Sequence, residues 1–308
     1  MTKRPKKTGQ AGSELANTQA EPDLGGRFIA NDEICAFRER ALEYAQAGVP
    51  VHLSGPAGMG KTAMAFDIAR ILGRGIAIMT GNPWLTGADF VGGTVGSTST
   101  AVVDRYVHSV QRTEKQVRTD WGTSVLAQAM TLGQTLIYDE FTRATPEANS
   151  TLLSVLEEGL LVCTDPSGPQ RIIQAHKDFR VVLTSNPHDY VAVNSAPDAL
   201  LDRVVTLPME AYSAETVAQI VTHRTGLDAQ AAQRLAQMMS ALYKSGDGQT
   251  FSVVRTSLLV GRVAAFRAKT RQPSDAALAE IATEILRGRG VDISLPKINT
   301  AMKHIAAE

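Results

Sequence analysis

The sequence predicts an α/β fold, a parallel sheet with helices on both faces, followed by a smaller all-helical domain. Three observations carry this reading. Five short runs, 49–55, 75–81, 135–140, 179–186 and 203–209, are apolar nearly throughout rather than alternating, as strands buried on both faces are. The stretches between them carry helical periodicity, which gives a β-α-β order. After Pro208 the strand signals stop and helical segments take over.

The elements follow in order. Residues 1–24 are polar, with few large apolar side chains, and read as a disordered tail. The sheet domain then spans 25–208, and its strands are VPVHLSG, GIAIMTG, TLIYDE, FRVVLTSN and RVVTLPM. Helices are expected near 213–225, 228–245, 252–268 and 274–287, within a helical domain spanning 209–308. Ser213, Asp228, Ser252 and Ser274 are suitable N-caps for them. Gly226, Gly246 and Gly288 punctuate their ends.

Composition narrows the partners. Among 308 residues, 31 Lys and Arg balance 31 Asp and Glu, so neither nucleic acid nor an anionic membrane is expected as a partner. The longest apolar runs are strand-sized, so no transmembrane helix is expected. The basic start MTKRPKKTGQ lacks the apolar segment of a secretory signal. Cys35 and Cys163 form no CxxC pair, a usage that suits a reducing cytosol. The six histidines show no metal-ligand spacing.

The first strand runs directly into GPAGMGKT, Gly55, Pro56, Ala57, Gly58, Met59, Gly60, Lys61 and Thr62. This is the G-x-x-x-x-G-K-[ST] loop in its required setting of strand, glycine turn and helix. Gly55, Gly58 and Gly60 permit backbone torsions and a close approach that a Cβ would hinder. Loop N–H groups and the N-terminus of the following helix attract phosphate oxygens. Lys61 reaches the β- and γ-phosphates of ATP, and the Thr62 hydroxyl is placed to ligate Mg²⁺. The strand 135–140 ends in Asp139 and Glu140, two adjacent acids at the carboxyl edge of the same sheet, where ligands bind. Asp139 is suited to hold Mg²⁺ through water and Glu140 to polarise the attacking water; the cation makes the paired acids tolerable. Either acid is also a candidate cap for the next helix, but Thr145 and Pro146 already supply an N-cap and an N1 proline. Asn186, in TSNP at the end of another strand, is an amide able to bridge that water and the γ-phosphate, or simply part of an Asn-Pro turn.

Two arginines admit two readings each. Arg203 closes SAPDALLDR. It either caps a helix C-terminus or pairs with Asp202, or it is an arginine finger reaching a neighbour's γ-phosphate. Arg255 falls in the first turn of a helix, where a cation opposes the dipole. Either a bound phosphate or a surface salt bridge compensates it.

Together these motifs resemble an AAA+ ATPase of the MoxR-type branch, and within that branch the gas vesicle protein GvpN family. The stretches that carry the resemblance are VVDRYVHSVQRTEKQVRTDW (102–121), TLIYDEFTRATPEANSTLLSVLEEG (135–159) and TSNPHDYVAVNSAPDALLDRVV (184–205). It covers about residues 27–250. The resemblance implies Walker A at Gly55–Thr62 and Walker B at Asp139 and Glu140. It further implies sensor 1 at Asn186, a finger at Arg203 and sensor 2 at Arg255. It also implies a cytoplasmic, ring-forming homo-oligomer, a hexamer, associated with gas vesicles and with their structural or accessory proteins. The same branch contains activators of metalloenzymes and of Rubisco, and a structural component that only binds ATP is a third reading. Two insertions are implied, one within 86–121 and one a hairpin at 160–175 with its turn at Pro166-Ser167-Gly168. TVGSTST (94–100) is small and neutral where a basic, aromatic pore loop is usual. The helix expected after it sets Arg105, Arg112, Lys115 and Arg118 opposite Val103, Val107, Val110 and Val117, the pattern of a solvated face over a core stripe or of a partner surface.

Overall fold

A computed structural model describes residue 29 and residues 31–103, 113–163, 170–186, 198–244, 251–268 and 273–291. The 1–24 tail lies outside the described residues. The first half of the chain contains α1 (Asp32–Gln46), β1 (Val51–Ser54), α2 (Lys61–Leu72), β2 (Ile76–Thr80), α3 (Gly87–Val91), β3 (Gly92–Val103), β4 (Thr113–Thr123), α4 (Val125–Leu132) and β5 (Thr135–Asp139). A 3₁₀ turn at Phe141–Arg143 leads to α5 (Pro146–Ser150), α6 (Leu152–Glu158), β6 (Leu160–Cys163), β7 (Arg171–Gln174), β8 (Arg180–Ser185), α7 (Asp198–Leu201) and β9 (Val205–Pro208). The chain then turns helical: α8 (Ala214–Thr225), α9 (Ala229–Lys244), α10 (Val253–Ala268) and α11 (Asp275–Arg287).

The five strands read from the sequence form one sheet in the order β2-β5-β8-β1-β9, every neighbouring pair parallel. Burial on both faces explains the apolar runs of β1, β5 and β8; the edge strands β2 and β9 depart from that expectation and bury alternate residues, with Ile78 exposed. Ile137 and Val182 pack with Leu53 under α1 and α2. Leu136, Tyr138 and Leu183 pack on the other side with α4, α5 and α6. Beyond β9, the last four helices enclose a core of their own around Leu235, Met238, Met239, Leu278 and Ile281. The N-caps are those expected: Ser213 accepts from Thr216 N–H, Asp228 from Ala231, Ser252 from Arg255 and Ser274 from Ala277. Gly226 takes the left-handed C-cap torsion, φ 71°, that a Cβ disfavours; Gly246 lies outside the described residues.

Two insertions leave the sheet. The hairpin at 160–175 is β6 paired antiparallel with β7, and its turn at 166–168 lies outside the described residues. The other insertion corrects a reading. The helix expected after 94–100 does not occur among the described residues of that stretch; β3 and β4 form a long antiparallel ribbon, paired from Gly92 opposite Thr123 to Val103 opposite Thr113 with a register shift between Thr94 and Gly96. The segment is rich in Val, Thr and Ser, β-branched or small residues that suit a ladder better than a helix. Arg105, Val107, Val110 and Arg112 lie outside the described residues.

One buried charge joins the first two helices. Asp67 on α2 is 4% exposed. It accepts from Arg38 of α1 at 3.2 Å and from Arg70 at 2.6 Å. Removing one partner of a buried pair leaves the other uncompensated, at a cost of about 3 kcal/mol. Asp67→Ala is therefore expected to lose about that much unfolding free energy in urea titrations; a loss below about 1 kcal/mol would show that the Arg38–Asp67 pair is solvent-screened.

Candidate active site

The strand order decides what meets at the carboxyl edge. β1 lies between β8 and β9, and β8 lies between β1 and β5, so the ends of β1, β5 and β8 converge. Gly55 N–H donates to Ser185 O at 3.3 Å, and Met209 N–H to Ser54 O at 2.7 Å. A Cβ on Gly55 would lie 2.8 Å from Met209 O, so only glycine admits this approach. Gly58 and Gly60 both adopt left-handed torsions, φ 82° and 84°. The N-terminus of α2 has no side-chain cap, so its first N–H groups are presented to the loop. Lys61 is 8% exposed and donates from Nζ to the carbonyls of Gly55 and Pro56, both at 2.8 Å.

Thr62 reaches across to β5. Its Oγ1 donates to Asp139 Oδ1 and Oδ2 at 2.9 and 3.1 Å. From β8, Thr184 Oγ1 donates to Asp139 Oδ1 at 2.5 Å and accepts from Glu140 N–H at 3.0 Å. The hydroxyl thus locks the two acids to the strand that ends in Asn186. Glu140 is the one non-glycine with positive φ, 53°, among the described residues. Such a torsion persists where the surroundings dictate it. Here a Cβ on Gly81 would lie 2.2 Å from Glu140 O, and Gly81 N–H donates to Asp139 O at 2.8 Å. Arg143 Nη1 stands 3.0 Å from Glu140 Oε2. Behind the turn, buried Tyr138 donates to Asn149 Oδ1 at 2.9 Å, and Asn149 Nδ2 to Phe141 O at 3.1 Å. Burial pushes the Tyr138 phenol up and lowers the His52 imidazole to about 4, so both are neutral near pH 7.

These groups line a cleft of about 500 Å³ between sheet edge and helical domain. Ala57, Gly58, Met59, Gly60, Lys61, Thr62, Asp139, Glu140, Asn186 and Arg255 all line it. Pro56 lines an adjoining crevice of about 850 Å³, and Gly55 sits beneath as a Lys61 acceptor. Apolar side chains of Ile29, Ile34, Ile220 and Leu258 also line the cleft, with Arg224 among them. Thr145 caps α5 by accepting from Ala148 N–H, with Pro146 following, which leaves Asp139 and Glu140 out of helix capping.

Arg203 is the sequence-selected residue that stays apart. Its Nε and Nη2 contact Glu157 Oε2 at 2.8 and 2.5 Å, and Nη1 donates to Ala199 O at 2.6 Å. The acid it meets is Glu157 on α6, not Asp202: the guanidinium turns back over α7 toward a neighbouring helix, away from its own strand. Sequence reasoning missed Arg143, Thr184 and His52. Arg143 was the most legible of them, three residues beyond Glu140 in DEFTR. Thr184 and His52 were not, because their role comes from strand pairing.

The family model described as AAA domain (dynein-related subfamily) matches residues 50–204. The gas vesicle ATPase GvpN of Ancylobacter aquaticus is 34% identical over 262 residues, spanning 85% of this chain and 73% of that protein. This chain belongs to the GvpN family of AAA ATPases. The Haloferax mediterranei gas vesicle ATPase GvpN is 38% identical over 70% of this chain and 62% of its own length. More distantly, CbbQ of Hydrogenophilus thermoluteolus is 24% identical over 62% of this chain and 64% of its own, in keeping with the MoxR-type branch. Thermotoga maritima RuvB superposes with a TM-score of 0.53 at 18% identity, over 84% of this chain and 71% of that chain, a likeness of fold. This GvpN-family chain is an ATPase that binds ATP.

The contact of Gly58 with the helical domain yields a prediction. A Cβ there would lie 2.3 Å from Ser252 Oγ and 3.2 Å from Arg255 Cβ. A left-handed L-residue costs about 1–2 kcal/mol besides. Gly58→Ala is expected to weaken ATP binding about tenfold or more with an unchanged far-UV circular dichroism spectrum. Unaltered affinity would mean that the loop and the helical domain do not share the nucleotide.

Proposed function

We propose that this chain hydrolyses ATP with Mg²⁺ in the cleft above and acts as an assembly or chaperone factor in gas vesicle formation. The observation that carries the chemistry is the convergence of Lys61, Thr62, Asp139, Glu140 and Asn186 on one sheet edge. Lys61 and the α2 N-terminus bind the phosphates. Thr62 and Asp139 present oxygen ligands within 2.9 Å of each other. No group of three or more His, Cys, Asp or Glu that could hold a metal occurs among the described residues. One hydroxyl and one carboxylate beside a phosphate loop fit Mg²⁺, which takes few protein ligands and keeps its water. When bound, it would neutralise charge on the β- and γ-phosphates. Glu140 orients and polarises the attacking water, Asn186 hydrogen-bonds it and the γ-phosphate, and Arg255 supplies a cation from the helical domain.

The biological role draws on the names of the relatives, gas vesicle ATPases from Ancylobacter aquaticus and Haloferax mediterranei. We place the protein in the cytoplasm, associated with gas vesicles and acting on their structural or accessory proteins. No helix among the described residues is long and apolar enough to cross a membrane. A second reading, from the MoxR-type resemblance, is an activase that remodels a metalloenzyme or Rubisco client; the match to CbbQ fits that branch at lower identity, 24% against 34%. The paired acids speak against a component that only binds ATP, since such a module has little use for Glu140.

The position of Arg203 outside its own cleft supports a ring-type homo-oligomer, a hexamer in our reading, with Arg203 acting on the next subunit. Arginine fingers contribute about 10³ to 10⁵ in rate. Glu140→Gln and Arg203→Ala are each expected to bind ATP and hydrolyse it very slowly. Mixed, they form interfaces with an intact Glu140 from one chain and an intact Arg203 from the other. Phosphate release should then recover in part. No recovery, with co-assembly proven and ring cooperativity excluded, would contradict the trans role. Wild-type turnover in Glu140→Gln alone would remove its assignment.

A further inference from the structure

His52 takes part in no step above, yet it lies directly behind the catalytic edge. The residue is 1% exposed. Its Nε2 is 2.8 Å from Ser185 Oγ and its Nδ1 2.9 Å from Thr206 Oγ1. Its ring packs at 87° to that of Phe141, with centroids 5.1 Å apart. The register explains the geometry. His52 pairs with Thr206 on β9 and with Leu183 on β8, and Ser185 is the next residue on the same face as Leu183. Ser185 immediately precedes Asn186, and Phe141 immediately follows Glu140.

A polar ring in a dry sheet is costly unless its nitrogens are bonded. A leucine would fill the space without that requirement. A neutral imidazole carries one donor and one acceptor nitrogen, and hydroxyls serve either, so both nitrogens are satisfied. One side chain thereby ties together the strand that delivers Asn186, the turn that delivers Glu140 and the strand that follows Arg203.

We propose that His52 is a positioning residue for ATP hydrolysis, fixing Asn186 through Ser185 and bracing the Glu140 turn through Phe141. This inference rests on the roles given above to Asn186 and Glu140. It places the effect of His52 on the transition state rather than on nucleotide binding, because its contacts run through the side chains of Ser185, Thr206 and Phe141, whereas the phosphate loop meets Ser185 through the main chain, Gly55 N–H to Ser185 O.

ATP affinity, kcat and Tm of the purified protein separate this from a role in stability. His52→Phe keeps a ring and removes both hydrogen bonds. It is expected to hold ATP affinity within about twofold while kcat falls about tenfold or more, the scale of a small misplacement of a catalytic group. His52→Gln extends an amide about as far as Nε2 and should restore most of kcat. His52→Asn extends only about as far as Nδ1, toward Thr206, and should leave kcat low. Ser185→Ala should lower kcat as His52→Phe does, with no further loss in the double variant. If His52→Phe does not fold, Ser185→Ala and the contrast of Gln with Asn decide the matter. A lowered Tm with normal kcat overturns the inference, as do equal kcat values for Gln and Asn. Asn186→Ala tests the underlying reading separately. Retained turnover there removes the role of Asn186, whereas lost turnover there with normal kcat in Ser185→Ala and His52→Phe overturns only the positioning role.

Discussion

The hydrogen bond from Thr62 to Asp139 is the contact on which the site depends. It joins the first turn of α2 to the tip of β5, at 2.9 Å, across a sheet in which β8 separates β5 from β1. Thr184 fills that gap by donating to the same carboxylate. Three strands therefore end at fixed heights, and the phosphate loop, the acids and Asn186 face one cleft. In a parallel sheet all strand ends on one edge carry the same polarity, which is why ligands collect there.

Electrostatics and backbone freedom act together in this arrangement. Lys61 is buried and solvated by two loop carbonyls, partial charges that a polyanion outbids when it arrives. Gly58 and Gly60 supply left-handed torsions, the backbone conformation that suits an anion-binding loop. Glu140 takes a left-handed torsion without being glycine, held by Thr184 behind it and Arg143 beside it. Strain of this kind costs about 1–3 kcal/mol and gathers at functional sites. The helical domain lines the cleft as well, bringing Arg255 beside Gly58 of the loop and adding apolar Ile220 and Leu258.

Much of this was legible in the residues. Continuous apolar runs marked the strands because both faces of β1, β5 and β8 are covered, although the edge strands β2 and β9 bury only alternate residues, and serine and aspartate marked the last four helices because each helix start leaves N–H groups unpaired. GPAGMGKT and the acids closing TLIYD-E are local patterns, so they could be read without a fold. What was not legible depends on pairing between distant segments. Thr184 reads as one more strand residue until β8 lies beside β5, and His52 reads as an oddity until β1 lies between β8 and β9. The ribbon β3–β4 was misread for a related reason: valines at mixed spacing satisfy a helical period, while the antiparallel register that defines a hairpin is set between two segments. Arg203 admits a helix-end and a finger reading in the sequence alone, and its partner Glu157 comes from another helix.

In our proposal the loop ending in Lys61 and Thr62 is where this ATPase holds its nucleotide. Titration calorimetry of MgATP into the wild type and Lys61→Ala tests it most directly. We expect one ATP bound per wild-type chain and affinity in Lys61→Ala reduced about a hundredfold or more, since a charge-assisted contact to phosphate is lost from a buried site. Wild-type affinity and stoichiometry in Lys61→Ala would contradict it and place the nucleotide elsewhere.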